Sequence, residues 1–274
     1  SKTTTGEAFL LINAHQPNTG PQAFYEAHLC SQEGLNVMGG LLAGGPCILH
    51  GTNENLGWAH TVNFCDRLDE FQLEMNSDNA MQYKFDGAWV DLEVKTIKLK
   101  IKGIPINVKR KIYWSKYGAT MKNEQGFFSM RLGANMKIAV LDQWYQMNKA
   151  KNFTEFYTAL NRQELSMFNI MYADRYDTIF FINNALMPIR DTSANYNWQK
   201  SVPGNTSKTL WTQFRAEKDL PQYINPASGF LFNTNHSPFL ATAALDNLKA
   251  SSFAKTDGWE TYQLNRSVRF MELF

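Results

Sequence analysis

Residues 51–63 read Gly-Thr-Asn-Glu-Asn-Leu-Gly-Trp-Ala-His-Thr-Val-Asn, a polar stretch followed by the apolar run Trp58–Val62. Short apolar runs bounded by glycine or polar residues are typical of strands. The same pattern recurs on both sides, at Val37–Leu42, Cys47–His50 and Phe71–Met75. This part of the chain is therefore predicted to form closely spaced strands of one or more sheets.

The rest of the chain predicts further strands and a few helices. A buried strand is predicted at Phe9–Asn13, and residues 80–132 read almost wholly as strand and turn. Lysines alternating with aliphatic residues between residues 95 and 112 predict a half-buried hairpin. Strands are also expected at Met167–Tyr172 and Thr178–Ile182.

The predicted helices follow the first group of strands. They are Ala139–Asn148, a segment Glu155–Gln163 capped by the stretch Asn152-Phe153-Thr154, and the helical spacing within Trp259–Phe274. Strands grouped first and helices later favour a layered α+β fold over a regular alternation of strand and helix.

Composition excludes several classes of function. The 274 residues are 44% hydrophobic, enough for a substantial core, and 27 basic against 25 acidic residues leave a net charge of +2. So small a charge argues against nucleic acid or an anionic membrane as a partner. No apolar run approaches the ~20 residues of a membrane span. Three cysteines lack metal-ligand spacing and are interpreted as small buried hydrophobes.

Three stretches, in this order and spacing, carry a family resemblance. The first contains Leu11–Pro17 and continues through Phe24–His28, the second is Gly51–Asn63 running into Asp66–Asp69, and the third is Phe232–Pro238 with Arg266 beyond it. Together they resemble the β chain of penicillin acylases, especially the branch with acyl-homoserine-lactone and aculeacin acylases. The resemblance covers most of residues 8–75 and 225–274.

The resemblance implies a fold and a reaction. The fold would be the four-layered αββα sandwich of the N-terminal-nucleophile hydrolases, present here as one incomplete domain over residues 1–274 with an inserted β-rich region around residues 80–132. The reaction would be hydrolysis of the amide bond in an N-acylated small molecule, such as a β-lactam, an N-acyl-homoserine lactone or an acyl-peptide. An N-terminal serine attacks in that family, and its own α-amino group acts as the base.

The resemblance also assigns roles to individual residues. Val62 matches the position whose backbone N–H helps form the oxyanion hole, and Asn235 matches the side-chain donor of that hole. His15 matches a histidine beside the nucleophile, and Arg266 matches the arginine that orients the oxyanion asparagine. Phe64 and Trp58 are candidates for lining the acyl pocket. A structural Ca²⁺ is expected at oxygen ligands from Asp66, Leu68, Asp69 and Asp246.

The nucleophile of this family begins a strand. The N-terminal residues of this chain can therefore be interpreted in two ways. Residues 1–6 match the turn after that strand, so one strand of ~5–6 residues would precede the chain and carry the serine. Ser1 as the nucleophile is the less favoured alternative. We therefore expect a fragment, inactive alone, whose partner is an α chain from the same precursor. The family's export implies a periplasmic or extracellular location.

Two other functions remain open at this stage. A non-catalytic secreted binding module would use the tryptophans and tyrosines as a ligand platform, and its binding would tolerate replacement of Asn235 and Arg266. A metal hydrolase would use His15, His28 and His60, although these residues lack the spacing of an HExxH motif and a supporting set of acidic ligands.

Overall fold

The computed structural model describes residues 3–274 and divides them into two compact units. The first unit comprises the described part of Ser1–Cys65 together with Met136–Leu186 and Arg215–Phe274, and the second comprises Asp66–Asn135 and Met187–Phe214. Strands far outnumber helices in the described chain, which is a sheet-rich structure of the predicted α+β class. None of the helices in residues 3–274 combines the length and apolarity needed to cross a membrane.

The first unit is built on a seven-stranded antiparallel sheet with the order β1-β2-β3-β4-β12-β13-β15. The strands of this sheet are β1 (Phe24–Ser31), β2 (Leu35–Leu42), β3 (His50–Asn53), β4 (Leu56–Thr61), β12 (Met167–Asp174), β13 (Ile179–Ala185) and β15 (Gln222–Ile224). The predicted strands at Trp58–Val62, Met167–Tyr172 and Thr178–Ile182 are thus confirmed to within three residues at either end.

The described part of this unit contains three α-helices: α1 (Val140–Lys149), α2 (Phe153–Leu160) and α3 (Asn265–Leu273). Asn152 caps α2 by accepting the Glu155 N–H at 3.0 Å, so the predicted cap is confirmed. The helix predicted within Trp259–Phe274 starts only at Asn265, where the Ser267 hydroxyl accepts the Leu264 N–H.

One face of this sheet packs against the helices. Trp58 of β4 and Tyr172 of β12 both contact Phe156 of α2, with ring centroids 6.3 Å and 4.7 Å away. Side chains alternate along a strand, so Ala59 and Thr61 of β4 point to the opposite face. That opposite face carries the candidate site.

The strand predicted at Phe9–Asn13 is wrong for the described chain. Residues 6–17 contain no strand, and the side chains of Phe9 and Leu11 are 74% and 92% exposed. An apolar pattern forms a strand only where neighbouring backbone supplies ladder hydrogen bonds, and no strand of the described residues pairs with this segment.

The second unit contains a six-stranded sheet with the order β14-β5-β11-β10-β9-β8 and a separate β6-β7 hairpin. Its strands are β5 (Leu68–Gln72), β6 (Gln82–Phe85), β7 (Ala88–Asp91), β8 (Glu93–Leu99), β9 (Val108–Ser115), β10 (Gly118–Asn123), β11 (Gly126–Leu132) and β14 (Val202–Pro203). A buried aromatic cluster around Phe71 and Tyr117, stacked at 4.3 Å, forms its core.

The predicted hairpin of residues 95–112 forms as β8 and β9, but its aliphatic face is not half-buried. Every residue of β8 is exposed, including Ile97 and Leu99. The alternation therefore predicts the hairpin correctly, whereas burial depends on a covering surface that is not found among the described residues.

Candidate active site

A cavity of about 770 Å³ lies within the first unit. Ala59 and Thr61 of β4 and Met171 and Ala173 of β12 contribute to its lining, together with the segments Thr3–His15 and Asn225–Thr234. Arg266 and two phenylalanines of the C-terminal segment, Phe270 and Phe274, also line it. The cavity therefore combines an apolar lining with a small number of polar groups, as ligand sites commonly do.

Val62, Asn235 and Arg266, far apart in sequence, come together beside this cavity, and Arg266 is the one of the three that lines it. The Asn235 side chain donates from Nδ2 to the Val62 carbonyl at 2.9 Å. Arg266 donates from Nη2 to Oδ1 of the same Asn235 amide, also at 2.9 Å. The guanidinium, which only donates, thereby fixes which end of the amide is the carbonyl oxygen, and Nδ2 is directed toward Val62.

The backbone conformation at Asn235 suits its residue type. Its φ is 65°, in the left-handed region that asparagine tolerates better than most residues. The preceding Asn233 helps to form the turn, because its Oδ1 accepts the Asn235 N–H at 3.0 Å and the Thr61 hydroxyl at 2.5 Å. The sequence Asn-Thr-Asn therefore forms a rigid turn tied to the end of β4.

A second set of polar side chains holds the loop that follows β4. Asn169 of β12 donates to the Val62 carbonyl at 3.2 Å, and the buried Glu260 carboxylate accepts the Phe64 N–H. Asn63 is buried and donates to Asn183 Oδ1 at 2.6 Å. Sequence reasoning missed Asn63, Asn183 and Glu260. The sequence does offer a signal for two of these residues: Asn63 directly follows an apolar strand, and Asn183 interrupts one.

The remaining predicted site residues occupy different environments. His15 is exposed and lines the cavity, while Ser1 lies outside the described residues. Trp58 is 0% exposed, packs on the helix side of the sheet and donates to the Leu49 carbonyl, so it is not among the described residues lining this cavity. Phe64 is 59% exposed. Pocket-lining roles for Trp58 and Phe64 stay predictions.

Two buried histidines lie at the same end of the sheet. The His50 and His60 rings are 5.2 Å apart, and His60 Nε2 accepts the Trp144 indole N–H at 3.0 Å. Burial lowers the pKa of His50 to about 4. Burial, and secondarily the neighbouring His50, lowers the pKa of His60 well below its usual range. Both side chains are therefore neutral near pH 7.

Of the three histidines of the metal-hydrolase hypothesis, His15 and His60 both line the cavity, whereas His28 does not. His28 on β1 pairs with Asn36 at 2.7 Å, and His60 on β4 pairs with Trp144. Strands β2 and β3 lie between β1 and β4 in the sheet. Within residues 3–274, no group of three or more His, Cys, Asp and Glu side chains is arranged to hold a metal.

The carboxylates predicted to bind calcium already have a cationic partner in the second unit. The buried Arg190 pairs with Asp66 at 3.2 Å and with Asp69 at 2.9 Å. Desolvation raises the pKa of both carboxyls, against the opposing effect of Arg190. One oxygen on each, Asp66 Oδ2 and Asp69 Oδ1, is buried without a hydrogen-bond partner. These two oxygens are suitable ligands for a hard cation. The positive charge of the adjacent Arg190 guanidinium, however, disfavours binding of a second cation there.

Asp246, the fourth predicted ligand, belongs to the first unit. Its Oδ2 accepts the Ser228 N–H at 2.6 Å, and hydrogen bonds from Ser228 lower its pKa. The fit to calcium is therefore partial, and calcium binding stays a prediction.

Comparison with known proteins shows the family to which the chain belongs. Residues 1–273 match the penicillin amidase family, and the chain belongs to that family. It is 27% identical to the acyl-homoserine lactone acylase PvdQ of Pseudomonas fluorescens, over 92% of this chain and 36% of that protein. It is 25% identical to penicillin G acylase of Escherichia coli, over 75% of this chain and 24% of that protein.

A solved structure supports the same assignment. The penicillin G acylase of Alcaligenes faecalis matches 78% of this chain and 39% of its own chain, with a TM-score of 0.70 and 26% identity. The predicted family is thus confirmed, and the fold is a sheet-rich α+β fold similar to that of penicillin acylases. The chain spans about a third of the length of the PvdQ acylases of Pseudomonas fluorescens and Pseudomonas putida.

Proposed function

We propose that the protein containing this chain hydrolyses the amide bond of N-acylated small molecules. The observation that carries this proposal is the arrangement of Asn235, Arg266 and the Val62 backbone beside a cavity of about 770 Å³. A side-chain amide that is fixed in orientation beside a cavity suits a reaction in which an acyl carbonyl develops negative charge. The names of its relatives, which are acylases, agree with this reaction class.

The proposed reaction proceeds through an acyl-enzyme. A serine hydroxyl attacks the carbonyl carbon, and its proton passes through an α-amino group to the leaving amine. Water then hydrolyses the ester and releases the carboxylic acid. An α-amine suits this role because its pKa lies near 8. The serine would precede the segment Thr3–His15 and belong to a strand upstream of residue 1, with Ser1 as the alternative.

Asn235 would stabilise the tetrahedral intermediate. Its amide nitrogen carries two hydrogens, and one of them goes to the Val62 carbonyl in this structure. The other would donate to the oxyanion together with the Val62 N–H. Arg266 donates to Oδ1 of the Asn235 amide, so the role assigned to it is to orient that amide.

The lining of the cavity favours an apolar acyl group. Phe232 and Phe270 stack at 4.2 Å, and Phe230 and Phe274 lie 4.4 Å apart. Phe230, Phe232, Phe270 and Phe274 all line the cavity. Aliphatic or aromatic acyl chains of β-lactams, N-acyl-homoserine lactones or acyl-peptides all present such a surface.

Several further properties belong to the same proposal. We infer an α chain from the same precursor as partner, a periplasmic or extracellular location and the four-layered αββα sandwich of the N-terminal-nucleophile hydrolases. A structural Ca²⁺ held by Asp66, Asp69 and the Leu68 carbonyl is included because two buried carboxylate oxygens there lack partners. The ion would supply charge neutralisation only.

The test compares the full-length gene product with an Asn235→Asp variant on a panel of N-acyl amides. Aspartate keeps the shape and tolerates the left-handed backbone but removes the Nδ2 donors, so turnover is expected to fall by about 10²–10³. Asn195→Asp is the matched control, because Asn195 also has a positive φ, of 50°, but lies exposed in the second unit. Binding of the amides without turnover would favour the non-catalytic module instead.

A further inference from the structure

The loop that follows β4 is held by a buried acidic side chain. Glu260 is buried in the first unit, and its Oε1 accepts the backbone N–H of Phe64. Its other oxygen, Oε2, accepts the Asn183 side-chain amide at 3.0 Å. Both carboxylate oxygens therefore act as acceptors, one for the loop and one for strand β13.

Asn183 extends this contact to the middle of the loop. Its Oδ1 accepts Asn63 Nδ2 at 2.6 Å, and the same nitrogen also donates to the Asn184 carbonyl at 2.9 Å. Asn63 Oδ1 in turn accepts the Phe168 N–H at 3.2 Å. Glu260, Asn183 and Asn63, which we call the Glu260 network, thus tie the loop to β13 and β12.

The Glu260 network and two further asparagines hold the backbone around Val62. The Val62 carbonyl is held by Asn235 and Asn169. Asn63 is held through its side chain, and the Phe64 N–H is held by Glu260. Successive residues of the loop are thereby fixed from different sides, which determines the direction of the backbone immediately after Val62.

We propose that Glu260 is a positioning residue that sets the orientation of the Val62 backbone N–H in the oxyanion hole. This inference rests on the proposed amide hydrolysis, in which that N–H stabilises the tetrahedral intermediate. A donor for an oxyanion is effective only when it is fixed before the charge develops. A hydrogen bond to a charged acceptor is stronger than one between neutral groups, so a carboxylate is well suited to hold the loop.

A donor–acceptor exchange separates positioning from bulk stability. Glu260→Gln leaves one acceptor oxygen, and its new amide nitrogen opposes either the Phe64 N–H or the Asn183 amide. Asn183→Asp alone places two carboxylates against each other. The double variant, Glu260→Gln with Asn183→Asp, restores every contact. The amide oxygen at position 260 accepts the Phe64 N–H, and the amide nitrogen at position 260 donates to the carboxylate at position 183. That carboxylate still accepts the Asn63 side-chain N–H. Glu272→Gln, at an exposed residue paired with Arg269, is the control.

Kinetics of the full-length gene product on its best N-acyl amide provide the first measurement. We expect kcat to fall about tenfold or more in each single variant, with KM changed by less than about twofold, and to recover most of that loss in the double variant. An unchanged kcat in Glu260→Gln, or a double variant no better than the single ones, would overturn the proposal. So would a loss expressed mainly in KM or matched by a lowered melting temperature.

Amide hydrogen exchange gives a measurement that needs no activity. In the single variants, exchange in the peptide covering residues 61–65 should accelerate by about tenfold, and the double variant should return it toward the wild-type rate. If the protein shows this pattern but hydrolyses no amide, the loop-positioning role stands and the proposed function fails. If exchange in this peptide is unaffected by Glu260→Gln, Glu260 does not hold the loop.

Discussion

Glu217 lies buried in the first unit, and its replacement by glutamine should change the pH dependence of stability. The side chain is 2% exposed, and neither carboxyl oxygen has a hydrogen bond of normal geometry. Burial raises the pKa of Glu217 from 4.5 to about 7, against the opposing effect of the Tyr157 hydroxyl. The folded state therefore favours the protonated form.

The sign and size of the effect follow from this pKa. Below about pH 4 the carboxyl is neutral whether the chain is folded or unfolded, so ionisation carries no penalty. As the pH rises, the unfolded chain ionises first, and the penalty grows until about pH 7. The difference between about 7 and 4.5, at about 1.4 kcal/mol for each pH unit, corresponds to about 3 kcal/mol.

Urea unfolding between about pH 4 and pH 8, followed by tryptophan fluorescence, measures this effect. Relative to the wild type, Glu217→Gln should gain about 3 kcal/mol between the two pH values. Any constant cost of burying the amide cancels in that comparison. Glu124→Gln, at an exposed residue, should show no such gain. A difference between Glu217→Gln and wild type that does not vary with pH would refute the reasoning.

Three further predictions concern other buried or exposed groups. Because burial lowers the pKa of His50 from 6.5 to about 4, His50 should cost the folded state up to about 3 kcal/mol as the pH falls below about 6.5. His50→Asn keeps an acceptor for the backbone N–H of His60 and should remove this contribution from acid unfolding curves. An unchanged curve would contradict the prediction. Cys30 is exposed while Cys47 and Cys65 are buried, so a thiol reagent should label one cysteine in the folded chain, and rapid labelling of Cys30→Ser would contradict this. Millimolar calcium should raise the melting temperature above that measured in a buffer with a chelator, and Asp66→Asn should reduce that rise. Equal melting temperatures of the wild type in both buffers would exclude the proposed ion.

The elements that the sequence predicts correctly are those specified locally. Asn152 caps α2 because its own side chain reaches the Glu155 N–H three residues later. The strands Leu56–Thr61 and Ile179–Ala185 carry continuous apolar runs bounded by polar residues. In each case the information lies within a few consecutive residues.

The errors have both distant and local causes. Phe9 and Leu11 have the composition of a buried strand but are exposed, because strand formation depends on a pairing partner that a sequence pattern cannot identify. The helix α3 starts six residues later than the first residue of the segment predicted to contain it. Its start depends on the Ser267 hydroxyl rather than on apolar spacing alone.

The candidate site shows the same division. Resemblance to a family places Asn235 and Arg266 in one site, and the structure brings their side chains within 2.9 Å. Glu260 was missed because a single acidic residue in a polar stretch gives no sign that it will be buried against Phe64, 196 positions away. Such contacts are determined by sheet topology, which one sequence does not specify.

Mass spectrometry of a trapped acyl-enzyme tests the proposed amide hydrolysis most directly. The full-length gene product would be mixed with an N-acyl amide and quenched in acid within its first turnovers. We predict that the mass of one chain increases by that of the acyl group, that the addition maps to an N-terminal serine, and that Asn235→Asp forms it about 10²–10³ times more slowly. If no acyl amide gives either an adduct or free amine, that result would contradict the assignment as an acylase.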